Sequence, residues 1–122
     1  MSTINRHGTG NGAPSMTETG GILYSSGILP IREGRARIPE GIEQQAALAL
    51  DHMDALLAQA GLQRDALLVL DIQLTRLERD HARLLPVLDA RFKDTPRPAL
   101  RFSGVASLPD GCLIQICFNA AR

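Results

Sequence analysis

The sequence predicts an α+β domain in which a mixed β-sheet carries two helices on one face. Segments with the apolar spacing of strands alternate with two segments that have the spacing of helices, and each helical segment connects two predicted strands. Hydrophobic residues make up 44% of the 122 residues, as in globular chains. Because such crossovers are right-handed, both helices belong on the same face. The length suits one domain, which we assign to residues 14–122 after a flexible tail over residues 1–13.

The first predicted elements are a β-hairpin and a long helix. Apolar strands over residues 21–31 and 35–38 flank a Glu-Gly turn signal at residues 33–34, which predicts a hairpin. Between residues 41 and 60 the apolar side chains recur at spacings of three and four. This pattern predicts an amphipathic helix that ends at Gly61, because glycine favours the backbone conformation that follows a helix.

The second half of the chain repeats the alternation of strand and helix. Residues 66–75 begin as a continuous apolar run and then alternate, which is typical of a strand that passes from a covered interior to a half-exposed edge. Helical spacing returns over residues 77–92, where we expect Pro86 to kink or split the helix. Two strands complete the domain, over residues 99–106 and 112–120, with a Leu-Pro-Asp-Gly turn signal between them.

The sheet face opposite the helices has no predicted cover within the chain. Semi-polar positions on this face alternate with apolar ones along the strand over residues 66–75: Val69, Asp71, Gln73 and Thr75. In the last strand Ile114, Ile116 and Phe118 point one way, whereas the intervening side chains, Leu113, Gln115, Cys117 and Asn119, point the other way. We infer that this half-polar face meets other copies of the chain in a small homo-oligomer.

Charge and composition exclude several classes of partner. The 13 Lys and Arg residues balance 13 Asp and Glu residues, so no overall positive field attracts nucleic acid or an anionic membrane. Four aromatic residues are too few for a base-stacking platform, and no apolar run approaches the ~18 residues of a membrane span. The N-terminal segment lacks the apolar stretch of a secretory signal. We therefore expect a soluble, cytoplasmic protein.

The cysteines and histidines do not form a metal-binding pattern. Cys112 and Cys117 fall on one predicted strand, roughly 16 Å apart in an extended chain and beyond the reach of a disulfide, so we expect free thiols. The three histidines are scattered, and we expect His52 and His81 to be structural. No metal or other cofactor is predicted.

Three short segments carry a resemblance to a known family. They are the Tyr-Ser-Ser-Gly-Ile-Leu-Pro run at residues 24–30, the Glu43-Gln44 opening of a helix that ends in Ala-Gly-Leu at residues 60–62, and the Gly-Val-Ala-Ser-Leu-Pro run at residues 104–109. Together they resemble the YjgF/RidA family of reactive-intermediate imine deaminases, also described as L-PSP endoribonuclease-like. The resemblance implies a chorismate-mutase-like fold. It also implies a homotrimer whose clefts between subunits bind small molecules.

The resemblance also implies a reaction and the residues that perform it. In active members, an Arg in a Pro-Ala-Arg-Ser motif binds the substrate carboxylate, and a Glu on the last strand positions the water that hydrolyses an enamine or imine to a keto acid and ammonia. Here those positions correspond to Leu100 and Cys117, and a cleft aromatic corresponds to about Ala13. Arg101 follows one residue late, and because one residue on a strand changes the face, it substitutes only if a bulge shifts the register.

Two residues are therefore the catalytic candidates. Cys117 takes the place of the family Glu and is a candidate nucleophile, with a small buried hydrophobe as the alternative interpretation. Arg101 is a candidate for binding an acidic ligand, with an ion pair between subunits as the alternative. The ligand-binding candidates are Ser26, Gly27, Leu100 and Gln115.

Two functional hypotheses follow. The first is a divergent trimer that binds a small metabolite in a cleft between subunits and hydrolyses enamine or imine intermediates. The second is a catalytically silent trimer that binds a metabolite or a protein partner. An endoribonuclease is a third interpretation, and the neutral charge and the few aromatic residues argue against it.

Overall fold

A six-stranded mixed sheet with two α-helices forms the part of the chain that the computed structural model describes, residues 3–8, 14–32, 34 and 37–122. The strands are β1 (Asn5–His7), β2 (Met16–Thr19), β3 (Ile22–Ser25), β4 (Leu67–Leu74), β5 (Ala99–Gly104) and β6 (Ile114–Ala121). The helices are α1 (Ile42–Gln59) and α2 (Leu77–Arg91), which contact each other and the sheet. The predicted fold class is confirmed.

The strand order is β1-β2-β3-β6-β4-β5. Strands β4 and β5 are parallel and α2 connects them, whereas the other neighbouring pairs are antiparallel. Helix α1 connects β3 to β4, which run parallel on either side of β6. The last strand of the chain therefore lies in the middle of the sheet, between β3 and β4, which α1 joins.

The hydrophobic core lies between the sheet and the helices. Ile114, Ile116 and Phe118 of β6 are buried on the helix side, as their alternation predicts, and Ala49 and Met53 of α1 are fully buried with them. Each large apolar side chain removed from water in this way stabilises the fold by about 1.5–3 kcal/mol. The burial of Ile114, Ile116 and Phe118 determines which face of β6 points to the helices.

Glycines and one buried amide fix the position of α1. Gly41 (φ 83°) precedes the helix and Gly61 (φ 74°) follows it, so both ends use backbone conformations that favour glycine. The buried side chain of Gln45 donates to the Pro39 carbonyl at 2.9 Å and accepts from the Leu113 N–H at 2.8 Å. These hydrogen bonds connect α1 to the loop before it and to the segment that leads into β6.

The predicted division of the second helix at Pro86 does not occur. Helix α2 runs without interruption from Leu77 to Arg91, with Pro86 inside it. Proline has no N–H to donate to the Ala82 carbonyl one turn earlier. Because Ala82 and Pro86 are both exposed, water can donate a hydrogen bond to this carbonyl in place of the missing N–H. The substitution of water for the N–H leaves no buried polar group unpaired.

The predicted hairpin is wrong in its second strand. Strand β3 pairs with β2, which precedes it, through a two-residue turn at Gly20 (φ 60°) and Gly21 (φ 80°). Two residues with positive φ match the twist of a tight hairpin. Residues 37 and 38 lie outside any strand, and residues 35 and 36 fall outside the described ranges. The sequence of β2, Met-Thr-Glu-Thr, has only one apolar residue, and so its pattern does not indicate a strand.

The segment predicted as a flexible tail contributes an edge strand. Strand β1 pairs with β2 in antiparallel register, with His7 opposite Met16. The His7 ring nitrogen Nε2 lies 3.1 Å from Glu18 Oε1, which adds a side-chain contact to the backbone pairing. Because an edge strand buries little apolar surface, its polar sequence gives no periodic signal. Residues 9–13 of this segment lie outside the described ranges.

The sheet face opposite the helices, here called the open face, is uncovered in the described chain. Tyr24 is 44% exposed on β3, and Leu68 is 45% exposed where β4 bulges against β6. At that bulge two consecutive side chains, Leu68 and Val69, point away from the buried positions on either side of them. Within the described residues, no helix is long and apolar enough to cross a membrane.

Candidate functional site

A row of three side chains crosses the centre of the open face. Asp71 of β4 is in register with Arg101 of β5 on one side and with Cys117 of β6 on the other. Residues in register on neighbouring strands point to the same face of a sheet. The Asp71 carboxylate lies 3.8 Å from Arg101 Nη1 and 4.0 Å from the Cys117 Sγ, so a half-buried acid has a base and a thiol as its neighbours.

A second row lies two residues further along the same strands. Gln115 Nε2 of β6 donates to Gln73 Oε1 of β4 at 2.8 Å. The backbone of Gly27 passes directly over the Gln115 amide, and a Cβ at Gly27 would lie 2.7 Å from the amide carbon. Real Cβ atoms do not approach so closely, so a larger residue at position 27 would push the Gln115 amide aside. We call Gly27, Asp71, Gln73, Arg101, Gln115 and Cys117 the open-face site.

Backbone pairing holds the Gly27 loop against the sheet. Ile28 N–H donates to the Ile116 carbonyl at 2.6 Å, and Ile116 N–H donates to the Ile28 carbonyl at 3.0 Å. Ser26 N–H donates to the Ser15 carbonyl at 2.8 Å and is therefore not free to bind an anion. The exposed Ser26 side chain lies at the margin of the site, next to Gly27.

The structure resolves the one-residue offset of Arg101. Strand β5 pairs with β4 in continuous register from Ala99 to Gly104, so no bulge intervenes, and Arg101 nevertheless shares the open face with Cys117. Leu100 points to the other face, where it packs against the core beside Phe102. Of the predicted site residues, the structure brings Gly27, Arg101, Gln115 and Cys117 to one face, with Ser26 at its margin, and it does not bring Leu100 to them.

The Arg101 guanidinium is available to an anion. Its side chain is 68% exposed, and at 3.8 Å its contact with Asp71 is a long ion pair and not a hydrogen bond. An exposed pair of this geometry contributes little stability. A ligand carboxylate that made two parallel hydrogen bonds to the guanidinium would be a stronger partner than Asp71 is.

The Cys117 thiol is held in its neutral form. Burial raises the pKa of Cys117, the nearby Asp71 carboxylate raises it further, and Arg101 partly opposes both effects. Because the thiolate is the nucleophilic form, this environment does not activate Cys117 at neutral pH. Burial likewise raises the pKa of Cys112, and both cysteines are free thiols.

Residues outside the open face make structural contacts. His52 Nε2 lies 2.9 Å from the Ile31 carbonyl, and the His81 ring packs edge-to-face on Phe102 with 4.7 Å between ring centroids. These contacts agree with the structural roles expected for both histidines. Ala13, the position of the family's cleft aromatic, falls outside the described ranges.

The described residues also contain a cavity away from the open face, and they contain no cluster of metal-binding side chains. A cavity of about 310 Å³ lies beside the C-terminal part of α1, and none of the predicted site residues lines it. Across the described ranges, no group of three or more His, Cys, Asp or Glu side chains is arranged to hold a metal ion.

The sequence patterns place Asp71 and Gln73 on the open face without assigning them to the site. Their signal is the interruption of an apolar strand by two polar residues at a spacing of two. This pattern predicts the face of the sheet to which Asp71 and Gln73 point, but it does not predict which residues of the neighbouring strands lie beside them. Only strand pairing places Asp71 beside Cys117 and Gln73 beside Gln115.

Comparison with known proteins identifies the family. The model of the family described as Endoribonuclease L-PSP matches residues 12–122. A RutC family protein of Aquifex aeolicus is 29% identical over 106 residues, which cover 86% of this chain and 84% of that protein.

Solved structures agree with this match in fold and in extent. The conserved Rid family protein YyfA of Yersinia pestis, described as of unknown function, is 30% identical with a TM-score of 0.86, over 93% of this chain and 90% of that chain. E. coli TdcF, solved with bound serine, is 25% identical with a TM-score of 0.86, over 94% of this chain and 91% of that chain. The chain therefore belongs to the Endoribonuclease L-PSP family, which is the YjgF/RidA family.

Proposed function

We propose that this protein is a cytoplasmic homotrimer that binds a small carboxylate-bearing metabolite at the open-face site and hydrolyses its enamine or imine form to a keto acid and ammonia. The observation that carries this proposal is the position of Arg101. It restores a guanidinium to the face that holds Gln115 and Cys117, although Leu100 occupies the position at which the resemblance expects the family Arg.

The chemistry of the site favours a small anionic ligand with a planar carboxylate. A guanidinium donates two parallel hydrogen bonds to such a group and fixes its orientation. Besides the Asp71 carboxylate and the Cys117 thiol, the other polar groups of the site are the neutral amides of Gln73 and Gln115, which donate and accept hydrogen bonds without adding charge. The bound serine in E. coli TdcF is a molecule of this size with a carboxylate, which supports the proposed ligand class.

The trimer is proposed because the open face is too exposed to remain uncovered. Tyr24 and Leu68 leave nearly half of their surfaces accessible, and these apolar side chains flank polar ones on the same face. Faces of this kind are covered by other protein chains. A neighbouring subunit would also give the shallow open-face site a second wall, so that a cleft forms between two copies of the chain.

The proposed reaction is tested by supplying imino acids made from amino acids by an amino-acid oxidase and by following the disappearance of the imine. We expect the protein to accelerate hydrolysis and Arg101→Ala to lower kcat/KM by about 10- to 100-fold, since the lost contact is a charge-assisted hydrogen-bonded pair worth ~1.5–3 kcal/mol. The matched control is Arg83→Ala, which removes an exposed arginine of α2. Rates at the uncatalysed level for every imine would contradict the deaminase.

A silent metabolite-binding trimer is the second candidate. The observation that favours it is the neutral Cys117 thiol, which stands where the resemblance places a catalytic carboxylate. In that case calorimetry would detect binding of keto acids or amino acids, Arg101→Ala would weaken it, and no imine would be hydrolysed faster than in buffer.

A further inference from the structure

We propose that Asp71 is a catalytic residue of this chain, whose carboxylate positions the attacking water and accepts its proton. This inference rests on the proposed deaminase function. The resemblance assigns that role to a Glu on the last strand, where this chain has Cys117. Asp71 lies on the adjacent strand β4 in direct register with Cys117.

The geometry places a carboxylate one strand away from the expected position. Asp71 Oδ2 is 4.0 Å from the Cys117 Sγ, so the acid faces the same part of the open face that a longer acidic side chain at position 117 would occupy. Cysteine is short and neutral here, and it leaves that space free of a second negative charge. Two carboxylates at this distance would repel each other, and the neutral thiol avoids that repulsion.

Asp71 has the capacity to bind a water molecule. Its side chain is 32% exposed, its contact with Arg101 is longer than an ordinary hydrogen bond between nitrogen and oxygen, and the Cys117 thiol, 4.0 Å away, is a weak donor. A carboxylate has about four acceptor positions. These two contacts therefore leave acceptor positions of Asp71 available to a water molecule on the open face.

Arg101 connects this carboxylate to the substrate. In a 2-imino acid the carbon that water attacks is bonded directly to the substrate carboxylate. A substrate held by the Arg101 guanidinium thus presents that carbon close to the guanidinium, and Asp71 Oδ1 lies 3.8 Å from Arg101 Nη1. A general base acts within hydrogen-bond distance of the proton it removes, or through one water. From its position beside the guanidinium, Asp71 would reach such a proton directly or through one water, on the side of the substrate that faces the sheet.

The proposed step is balanced. The water oxygen forms a bond to the imine carbon while the π electrons of the C=N bond move to nitrogen, and Asp71 accepts the proton that water loses. Asp71 then gives that proton to the amine nitrogen. In the resulting carbinolamine Asp71 accepts the hydroxyl proton as the carbonyl forms and delivers it to the nitrogen as the C–N bond breaks, so that ammonia leaves. One water is consumed, one keto acid and one ammonia are produced, and Asp71 ends as the carboxylate with which it began.

The test compares Asp71→Asn with the unaltered protein in the imine assay, with kcat and KM measured separately. Positioned proton transfer contributes about 10²- to 10⁴-fold, so we expect kcat to fall by at least about 100-fold while KM changes little. Asp71→Glu keeps a carboxylate and is expected to retain more activity than Asp71→Asn. Asp65→Asn, which alters an exposed acid next to β4, is the matched control and is expected to keep full activity.

A second variant distinguishes the loss of the Asp71 carboxylate from a loss of folded protein. In Asp71→Ala the missing carboxylate can be supplied by sodium formate, which we expect to restore part of kcat, whereas formate should not restore Arg101→Ala. Unchanged kcat in Asp71→Asn, a loss confined to KM, or no response of Asp71→Ala to formate would overturn the role of Asp71 and leave the deaminase standing. An unaltered protein that hydrolyses no imine would overturn both proposals.

Discussion

The two faces of the sheet are held by different physical effects. On the helix face, strands β4 and β6 present rows of fully buried apolar side chains, such as Ile72 and Phe118. On the open face, the same strands present Asp71 and Cys117, which are half-buried and meet only by long contacts. Close packing leaves the helix face little freedom, whereas weakly paired polar groups leave the open face able to exchange partners. We therefore expect stability to depend on the first face, and binding and assembly on the second.

Removal of a buried aromatic side chain should have the greatest effect, and it separates stability from binding. Phe118→Ala should lower the free energy of unfolding by about 3–5 kcal/mol, because a buried aromatic leaves a cavity when it is removed. Arg101→Ala, on the other face, should change it by less than about 0.5 kcal/mol, because the side chain is exposed. Urea denaturation at one protein concentration measures both. If the two variants lost equal amounts of unfolding free energy, stability would not depend mainly on the helix face, and the proposed division between the two faces would be wrong.

The next effect concerns assembly. Sedimentation should give about three times the 13.2 kDa chain mass. Leu68→Glu should weaken the trimer by at least about 100-fold, or ~2.7 kcal/mol, because it places an unpaired charge in the proposed interface. Leu85→Glu is the matched control: this leucine is 39% exposed on α2, compared with 45% for Leu68. A monomeric unaltered protein at micromolar concentration, or dissociation of both variants alike, would contradict assembly through the open face.

The smallest effect is a pH dependence on the helix side. Asp54 of α1 accepts hydrogen bonds from Arg64 and Arg91 at 2.8–2.9 Å. Burial acts to raise the pKa of Asp54, but these hydrogen bonds outweigh it, so the pKa lies below its ordinary value. A depressed folded-state pKa adds stability that is present above the unfolded-state pKa and is lost as pH falls through the folded-state pKa.

Denaturation between about pH 6 and pH 3 measures this contribution. Asp54→Asn should therefore be less stable than the unaltered chain near pH 6, and the difference should shrink as the pH falls. Asp65→Asn should track the unaltered protein throughout, since Asp65 is exposed on the turn after α1. A difference between the Asp54→Asn variant and the unaltered chain that does not change with pH would show that the ion pair makes no acid-sensitive contribution.

Local periodicity was sufficient to predict most of the fold. Both helices follow from apolar spacing, and α1 ends just before Gly61 as expected. The alternation in β6 predicts which side of that strand is buried. The edge of the sheet was not predictable in this way, because β1 and β2 are held mainly by backbone hydrogen bonds, which leave no pattern in the side chains. Pro86 did not break α2, because its position on the helix is exposed to water.

Polarity along the chain is enough to predict the layers of this protein and the residue types on each face, since burial depends on side-chain polarity at periods of two and 3.6. Strand pairing in the folded chain is needed to see that Arg101, and not Leu100, shares a face with Cys117, and that Asp71 lies between them. Register between strands distant in the chain is set by their pairing and by the packing of one face on the helices. A motif counted along the sequence cannot detect that pairing, and the candidate site depends on it.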